Sequence, residues 1–167
     1  MMILCPHFLI DIMKNLVIIG AGGMGRTIFD VARESIGYGI EYTIKGFIDD
    51  NLSALDGFED YPPMLGTISH YLPEVDDVFT FSIGGESRRV CIEYLMERNA
   101  KFINIVHSTA RIGSNVRMGE GNVIGAFTSL GADCSIGSYN MIQSYTVIGH
   151  DAKICLLYTS DAADDKA

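Results

Sequence analysis

The sequence predicts an α/β domain built on a small parallel sheet, followed by an all-β solenoid. Three observations carry that prediction. A short apolar strand pattern runs straight into a glycine loop and a helix-patterned segment across residues 14–36. Strand and helix patterns go on alternating as far as residue 105. From Val106 a six-residue period takes over and holds to Ile154.

Residues 14–19 (KNLVII) are β-branched and nearly all apolar, as a strand buried on both faces must be. In residues 26–36, Ile28, Val31, Ala32 and Ile36 recur at three- and four-residue steps, which predicts a helix with those side chains inward. A second strand is expected at residues 42–48, closed by Asp49 and Asp50, and a third at 78–83, closed by Gly84 and Gly85. A helix follows over about 87–98, with Val90, Tyr94 and Leu95 on one face, and residues 102–105 form a further strand. Strands alternating with helices imply a parallel, Rossmann-like sheet over residues 13–105.

The loop Gly20-Ala21-Gly22-Gly23-Met24-Gly25 matches G-x-G-x-x-G between a strand and a helix. Glycines there give tight turns and let backbone N–H groups at a helix N-terminus approach an anion. Asp49 and Asp50 end the next strand, where an acid can accept a ribose hydroxyl. A nucleotide-type ligand is therefore expected. The motif alone does not choose between a dinucleotide and a nucleotide-sugar.

Stepping by six from Val106 gives Ile112, Met118, Ile124, Leu130, Ile136, Ile142, Ile148 and Ile154, all aliphatic or methionine. Glycine follows most of those from Val106 to Ile148; the exceptions are His107 and Gln143. That period fits neither a helix nor simple strand alternation. It fits a solenoid of short strands with one aliphatic side chain per side pointing inward, and glycine at corners that disfavour a Cβ. Three hexapeptides make one triangular coil of 18 residues, so Asn104, Asn122 and Asn140 should stack as a ladder. His107 reads as structural.

Composition narrows the partners. The 167 residues carry 12 basic against 21 acidic side chains, a formal charge of −9, which argues against nucleic acid and anionic membranes. No apolar run reaches the roughly 18–20 residues that span a bilayer. Cys5, Cys91, Cys134 and Cys155 show no metal or disulfide spacing, so no metal is expected and a cytoplasmic compartment is the default. Residues 1–12 read as a non-native extension ahead of Met13. Residues 155–167 read as an adapter-derived tail, with the natural frame expected to carry further hexapeptides beyond Ile154.

The motifs Ile18-Ile19-Gly20-Ala21-Gly22-Gly23, Gly46-Phe47-Ile48-Asp49-Asp50, Ile83-Gly84-Gly85 with Arg88, and Val147-Ile148-Gly149-His150-Asp151 resemble the sialic-acid O-acetyltransferase/PglD-like sugar acetyltransferases. The resemblance spans residues 13–154 and implies a left-handed parallel β-helix over 106–154, truncated in this chain. It implies acetyl-CoA as donor and a homotrimer with active sites between neighbouring β-helices. The acceptor would be a sugar or nucleotide-sugar, modified at an amino or hydroxyl group in surface glycan synthesis. On the matching positions, His150 would be the general base, oriented by Asp151, by Glu120 or by an acid of another subunit. Gly20, Gly22, Gly23, Asp49, Asp50, Gly84 and Arg88 would hold the acceptor, and most of the acetyl-CoA site would lie in later coils. Met24 departs from the histidine common among relatives at that position.

Two other classes compete. One is a non-catalytic nucleotide-sugar-binding or trimerisation module, and the other an NAD(P)-binding oxidoreductase using the same loop. The second is disfavoured because a solenoid, not a catalytic domain of the usual sort, follows the sheet. A zinc enzyme on a β-helix would need three histidine ligands, and the repeats hold only His107 and His150.

Overall fold

A computed structural model describes residues 12–155 and 159–160. The proposed N-terminal extension, apart from Ile12, and most of the proposed tail lie outside the described residues.

Strand β1 (Lys14–Ile19) is central to a parallel sheet, flanked by β2 (Tyr42–Ile48) and β4 (Asp77–Phe81), with the short β3 (Met64–Gly66) outside β2. The order β3-β2-β1-β4 means that the chain winds one way from β1 and then crosses to its other side. Loops leaving β1 and β4 therefore part at the carboxyl edge and open a crevice there. Leu16, Val17, Ile18 and Ile19 are fully buried, as an all-apolar central strand requires.

Helix α1 (Gly23–Arg33) begins inside the glycine loop, and α2 (Gly85–Met96) follows β4. Here the structure corrects several expectations. Ile36 lies beyond the end of α1 and is exposed. The buried face of α2 is Arg88, Cys91, Ile92 and Leu95, with Val90 left exposed. The strand expected over 102–105 divides: Phe102 makes a single bridge to Phe79, while Ile105 opens the solenoid as β5 (Ile105–Val106). Strand β3 was not foreseen, because three residues are too few to show a period.

The solenoid is a left-handed parallel β-helix of two-residue strands. Its three faces are β5, β8 (Val123–Ile124), β11 (Met141–Ile142) and β14 (Thr159–Ser160); β6 (Arg111–Ile112), β9 (Ser129–Leu130) and β12 (Val147–Ile148); and β7 (Arg117–Met118), β10 (Ser135–Ile136) and β13 (Lys153–Ile154). Strands on each face pair parallel with an 18-residue offset. Ile124, Leu130, Ile136 and Ile142 are buried, while Ile112 is exposed because no coil covers it from below.

Glycine recurs for a different reason from the one expected. The left-handed conformation falls two residues later, at Asn115, Gly121, Phe127, Asp133, Tyr139, Tyr145 and Asp151, all with φ between 55° and 69°. At Gly113, Gly125 and Gly131 the constraint is close approach: a Cβ would lie 2.5–2.7 Å from backbone of the next coil. The expected asparagine ladder forms. Asn104 Oδ1 accepts the Asn122 N–H (2.8 Å), and Asn122 Oδ1 accepts both the backbone and side-chain N–H of Asn140 (3.0 Å each).

Close approach also governs the sheet domain. A Cβ on Gly25 would sit 2.2 Å from the Gly20 carbonyl oxygen, so α1 lies against the loop only because residue 25 has no side chain. Gly25→Ala is expected to cost about 2 kcal/mol, the usual scale of overpacking. A thermal melt with unchanged midpoint would contradict this.

Candidate active site

The first turn of α1 leaves its N–H groups open to an anion. Gly22 is the N-cap with no side-chain cap bond, and no acidic residue occupies the first turn. Gly20 adopts φ +92°, and a Cβ there would lie 2.5 Å from Ser82 Oγ. That hydroxyl donates to the carbonyls of Ile19 and Gly20, stitching the β1 and β4 loops together.

Asp49 stands behind the loop. One carboxylate oxygen accepts the Ala21 N–H at 2.7 Å and the other the Asn51 N–H at 2.8 Å, so its visible work is to hold the loop's shape. Asp50 is exposed, and its Oδ1 accepts the Ile68 N–H. Gly84 caps α2, whose first turn carries Glu86, paired with Arg89. An acid in that turn makes α2 the poorer anion site of the two.

Arg88 is placed away from this crevice. It is 4% exposed, its guanidinium lies beside the Phe81 ring, and Nη1 donates to the Tyr139 carbonyl. Arg88 joins α2 to a solenoid corner. Its spacing within a helix gave no sign of which partner the helix would meet. Arg26 was missed by sequence reasoning. Its guanidinium stacks on Phe58 at 3.7 Å from the ring centroid, next to Gly23, and pairs with no carboxylate among the described residues. One turn into a glycine-loop helix is where a cation meets phosphate, and that position was the available signal.

At the solenoid corner between β12 and β13, His150 is largely exposed, and its Nδ1 lies 2.6 Å from Asp151 Oδ2. A carboxylate only accepts, so Nδ1 carries the proton and Nε2 presents its lone pair outward. Neighbouring side chains on extended backbone diverge. Asp151 escapes that rule because its φ of 59° turns the chain back, bringing its carboxylate to the imidazole. Glu120 is engaged elsewhere, accepting the Tyr139 hydroxyl at 2.7 Å.

His107 has a different setting. It is buried, its Nδ1 accepts the Thr109 N–H, and its Nε2 lies 2.8 Å from Glu34 at the end of α1. Because Nδ1 accepts, Nε2 donates. Ile36 N–H to Val106 O and Ser108 N–H to Glu34 O complete the seam. The two breaks in the glycine series, His107 and Gln143, lie on the corner that meets α1: Met24 and Thr27 share a small cavity with Gln143 and Ser144.

Helix α1 thus packs on the face made by β5, β8 and β11, whereas His150 occupies the corner between the other two faces. Within one chain the glycine loop and His150 lie on opposite sides of the coil. Among the described residues no three His, Cys, Asp or Glu side chains group as metal ligands, and no helix is long and apolar enough to cross a membrane.

Residues 15–94 match the PglD N-terminal domain family and residues 115–150 the bacterial transferase hexapeptide family, in that order along the chain. The chain belongs to the PglD-like family. This PglD-like chain is 31% identical over 117 residues to UDP-N-acetylbacillosamine N-acetyltransferase of Bacillus subtilis (strain 168). That stretch is 67% of the chain and 51% of the relative, so the chain spans about half the length of the curated relative it matches. Solved structures share the fold. The acetyltransferase domain of PglB from Neisseria gonorrhoeae FA1090, in complex with acetyl coenzyme A, gives a TM-score of 0.68 at 21% identity, covering 86% of this chain and 68% of that one. PerB from Caulobacter crescentus, in complex with CoA and GDP-perosamine, gives 0.67 at 24%, covering 84% and 65%. WeeI from Acinetobacter baumannii AYE gives 0.69 at 23%, covering 85% and 66%.

Proposed function

We propose that the PglD-like chain belongs to an acetyl-CoA-dependent acetyltransferase acting on the amino group of a nucleotide-linked sugar, in glycan synthesis. The observation that carries this reading is the His150–Asp151 pair, in which Nδ1 engages the carboxylate and leaves Nε2 as the available nitrogen of a largely exposed ring. An amine attacking the thioester carbonyl must lose a proton, and Nε2 takes it. Asp151 holds the tautomer and stabilises the imidazolium that forms, while the CoA thiolate departs and is protonated. The curated relative's N-acetyltransferase name supports amine over hydroxyl as the acceptor.

The acceptor's diphosphate would lie on the first turn of α1, against the N–H groups after Gly22 and beside Arg26. Gly20 and Gly23 keep that approach open, and Asp49 supports the loop from behind. Because His150 lies across the coil from this loop, an acceptor held by one copy would be served by His150 of a neighbouring copy. A homotrimer joined along the β-helices meets that requirement.

Release of free CoA thiol from acetyl-CoA, given UDP- or GDP-linked amino sugars, tests the reaction. Mixing tests the shared site. Arg26→Glu and His150→Ala proteins are each expected to be inactive, and co-assembled they are expected to regain about a quarter of wild-type activity, on the order set by random mixing of copies. Mixed assemblies as inactive as their parents would place both groups of one active site within a single chain.

A further inference from the structure

We propose that Cys134 is a positioning residue for the base, because its thiol holds the peptide that carries His150. This inference rests on the role in acetyl transfer proposed above for His150. Cys134 is 1% exposed and lies inside the solenoid, in the coil before the base. Its Sγ–H donates at 2.9 Å to the carbonyl of Gly149, the residue immediately ahead of His150.

The corner needs such a contact. Glycine leaves the backbone free to turn, and among the described residues a Cβ on Gly149 would meet nothing within 4 Å. On either side the chain is fixed. The Gly131 N–H donates to the Ile148 carbonyl (2.8 Å), and the Asp151 N–H donates to the Ala132 carbonyl (3.0 Å). The Gly149–His150 peptide lies between those two bonds. Its rotation changes ψ at Gly149 and φ at His150 together, and that φ sets the direction of the imidazole. A peptide is a rigid plane, so a carbonyl held toward the buried thiol sends the His150 N–H the other way. The ring then keeps the setting in which Nδ1 meets Asp151 Oδ2.

The solenoid uses the same device at its other two corners. Thr128 Oγ1 donates to the Gln143 carbonyl (3.1 Å) and Asn104 Nδ2 to the Gly119 carbonyl (2.8 Å), each across 15 residues, as Cys134 does. At the corner of His150 the stacked interior positions are Val116, Cys134 and Ala152, all part of the solenoid core. Of these three side chains only the thiol can donate, and it stands in the coil from which a donor reaches Gly149.

Three variants of the whole chain test this. Cys134→Ala and Cys134→Val remove the donor and install side chains that this corner already holds in the coils on either side. Cys134→Ser keeps a donor. In acetyl-transfer assays the Ala and Val variants are each expected to lose about tenfold in kcat with KM for the amino sugar unchanged, as a slightly displaced catalytic group would cause. Cys134→Ser should restore most of the rate. A second readout needs no turnover. Nitrogen NMR of isotopically labelled histidine, in mildly alkaline buffer where imidazole is neutral, reports which ring nitrogen carries the proton. His150, assigned by its absence from His150→Ala, should be a single Nδ1–H tautomer in the wild-type and Ser proteins. In the Ala and Val proteins it should be a mixture of both tautomers.

Equal losses of kcat in all three variants would make Cys134 a packing residue and overturn the proposal. Wild-type rates in the Ala and Val proteins would overturn it too, and so would an unchanged tautomer there, whatever the rates. If the wild-type chain transfers no acetyl group, the acetyltransferase reading fails, and the tautomer comparison still decides whether Cys134 orients the ring.

Discussion

Replacing His150 with alanine is expected to lower acetyl transfer by about two to four orders of magnitude, the usual contribution of a positioned general base. Nucleotide binding should persist, because His150 stands on the far corner of the coil from the glycine loop and touches neither α1 nor α2. Asp151→Asn should cost less. Its amide oxygen still accepts from Nδ1–H and keeps Nε2 as the base, so only the charge that steadies the imidazolium is lost. Steady-state rates of thiol release with both variants, alongside nucleotide titrations, check the pair. An alanine variant that retains wild-type turnover would remove His150 from the chemistry. Loss of nucleotide affinity with the rate would instead make it a structural residue.

Asn122→Ala should produce the largest loss of stability. Asn122 is fully buried, and its Oδ1 satisfies two N–H groups of Asn140, itself fully buried. Its Nδ2 donates to Asn104 Oδ1 and to the Gly119 carbonyl. Truncation removes the Oδ1 acceptor from the Asn140 backbone N–H and the Nδ2 donor from Asn104 Oδ1 and the Gly119 carbonyl, at about 1–3 kcal/mol for each buried group affected, so a loss of roughly 3 kcal/mol is expected. For a chain of this size that lowers the melting midpoint by about 10 °C. Asn104→Ala, at the solvent end of the ladder, should cost clearly less, since water can replace what it removes. Equal midpoints for the two variants in circular-dichroism melts would show that the ladder does not cooperate along the axis.

Most of the scaffold was legible in the sequence because it is set by local period. The apolar run of β1, the glycine loop and the aliphatic residue at every sixth position each state a conformation within a few residues. The 18-residue stacking of Asn104, Asn122 and Asn140 followed from the same arithmetic. The nomination of His150 and Asp151 came instead from the resemblance of Val147-Ile148-Gly149-His150-Asp151 to the family pattern. Their mutual geometry did not: it required the left-handed φ at Asp151, which repeats at every sixth residue from Asn115 but falls on Asn, Gly, Phe, Asp and Tyr alike. No composition rule marks such a position.

What the tertiary structure alone decided concerns partners chosen across the fold. Arg88 was named by the family resemblance, and only the structure shows that α2 turns it inward, where it meets a solenoid corner. Val90, expected on one face with Tyr94 and Leu95, is left facing a cleft. Gly113, Gly125 and Gly131 are demanded by the coil above them, not by their own backbone angles, a constraint acting between residues 18 or 19 apart. The sequence determined the two architectures, their order and the candidate base, since each rests on short-range pattern. The docking of α1 on one face of the coil, and with it the separation of the acceptor loop from His150, depended on side-chain volumes and hydrogen bonds between distant segments, which only packing in three dimensions brings together.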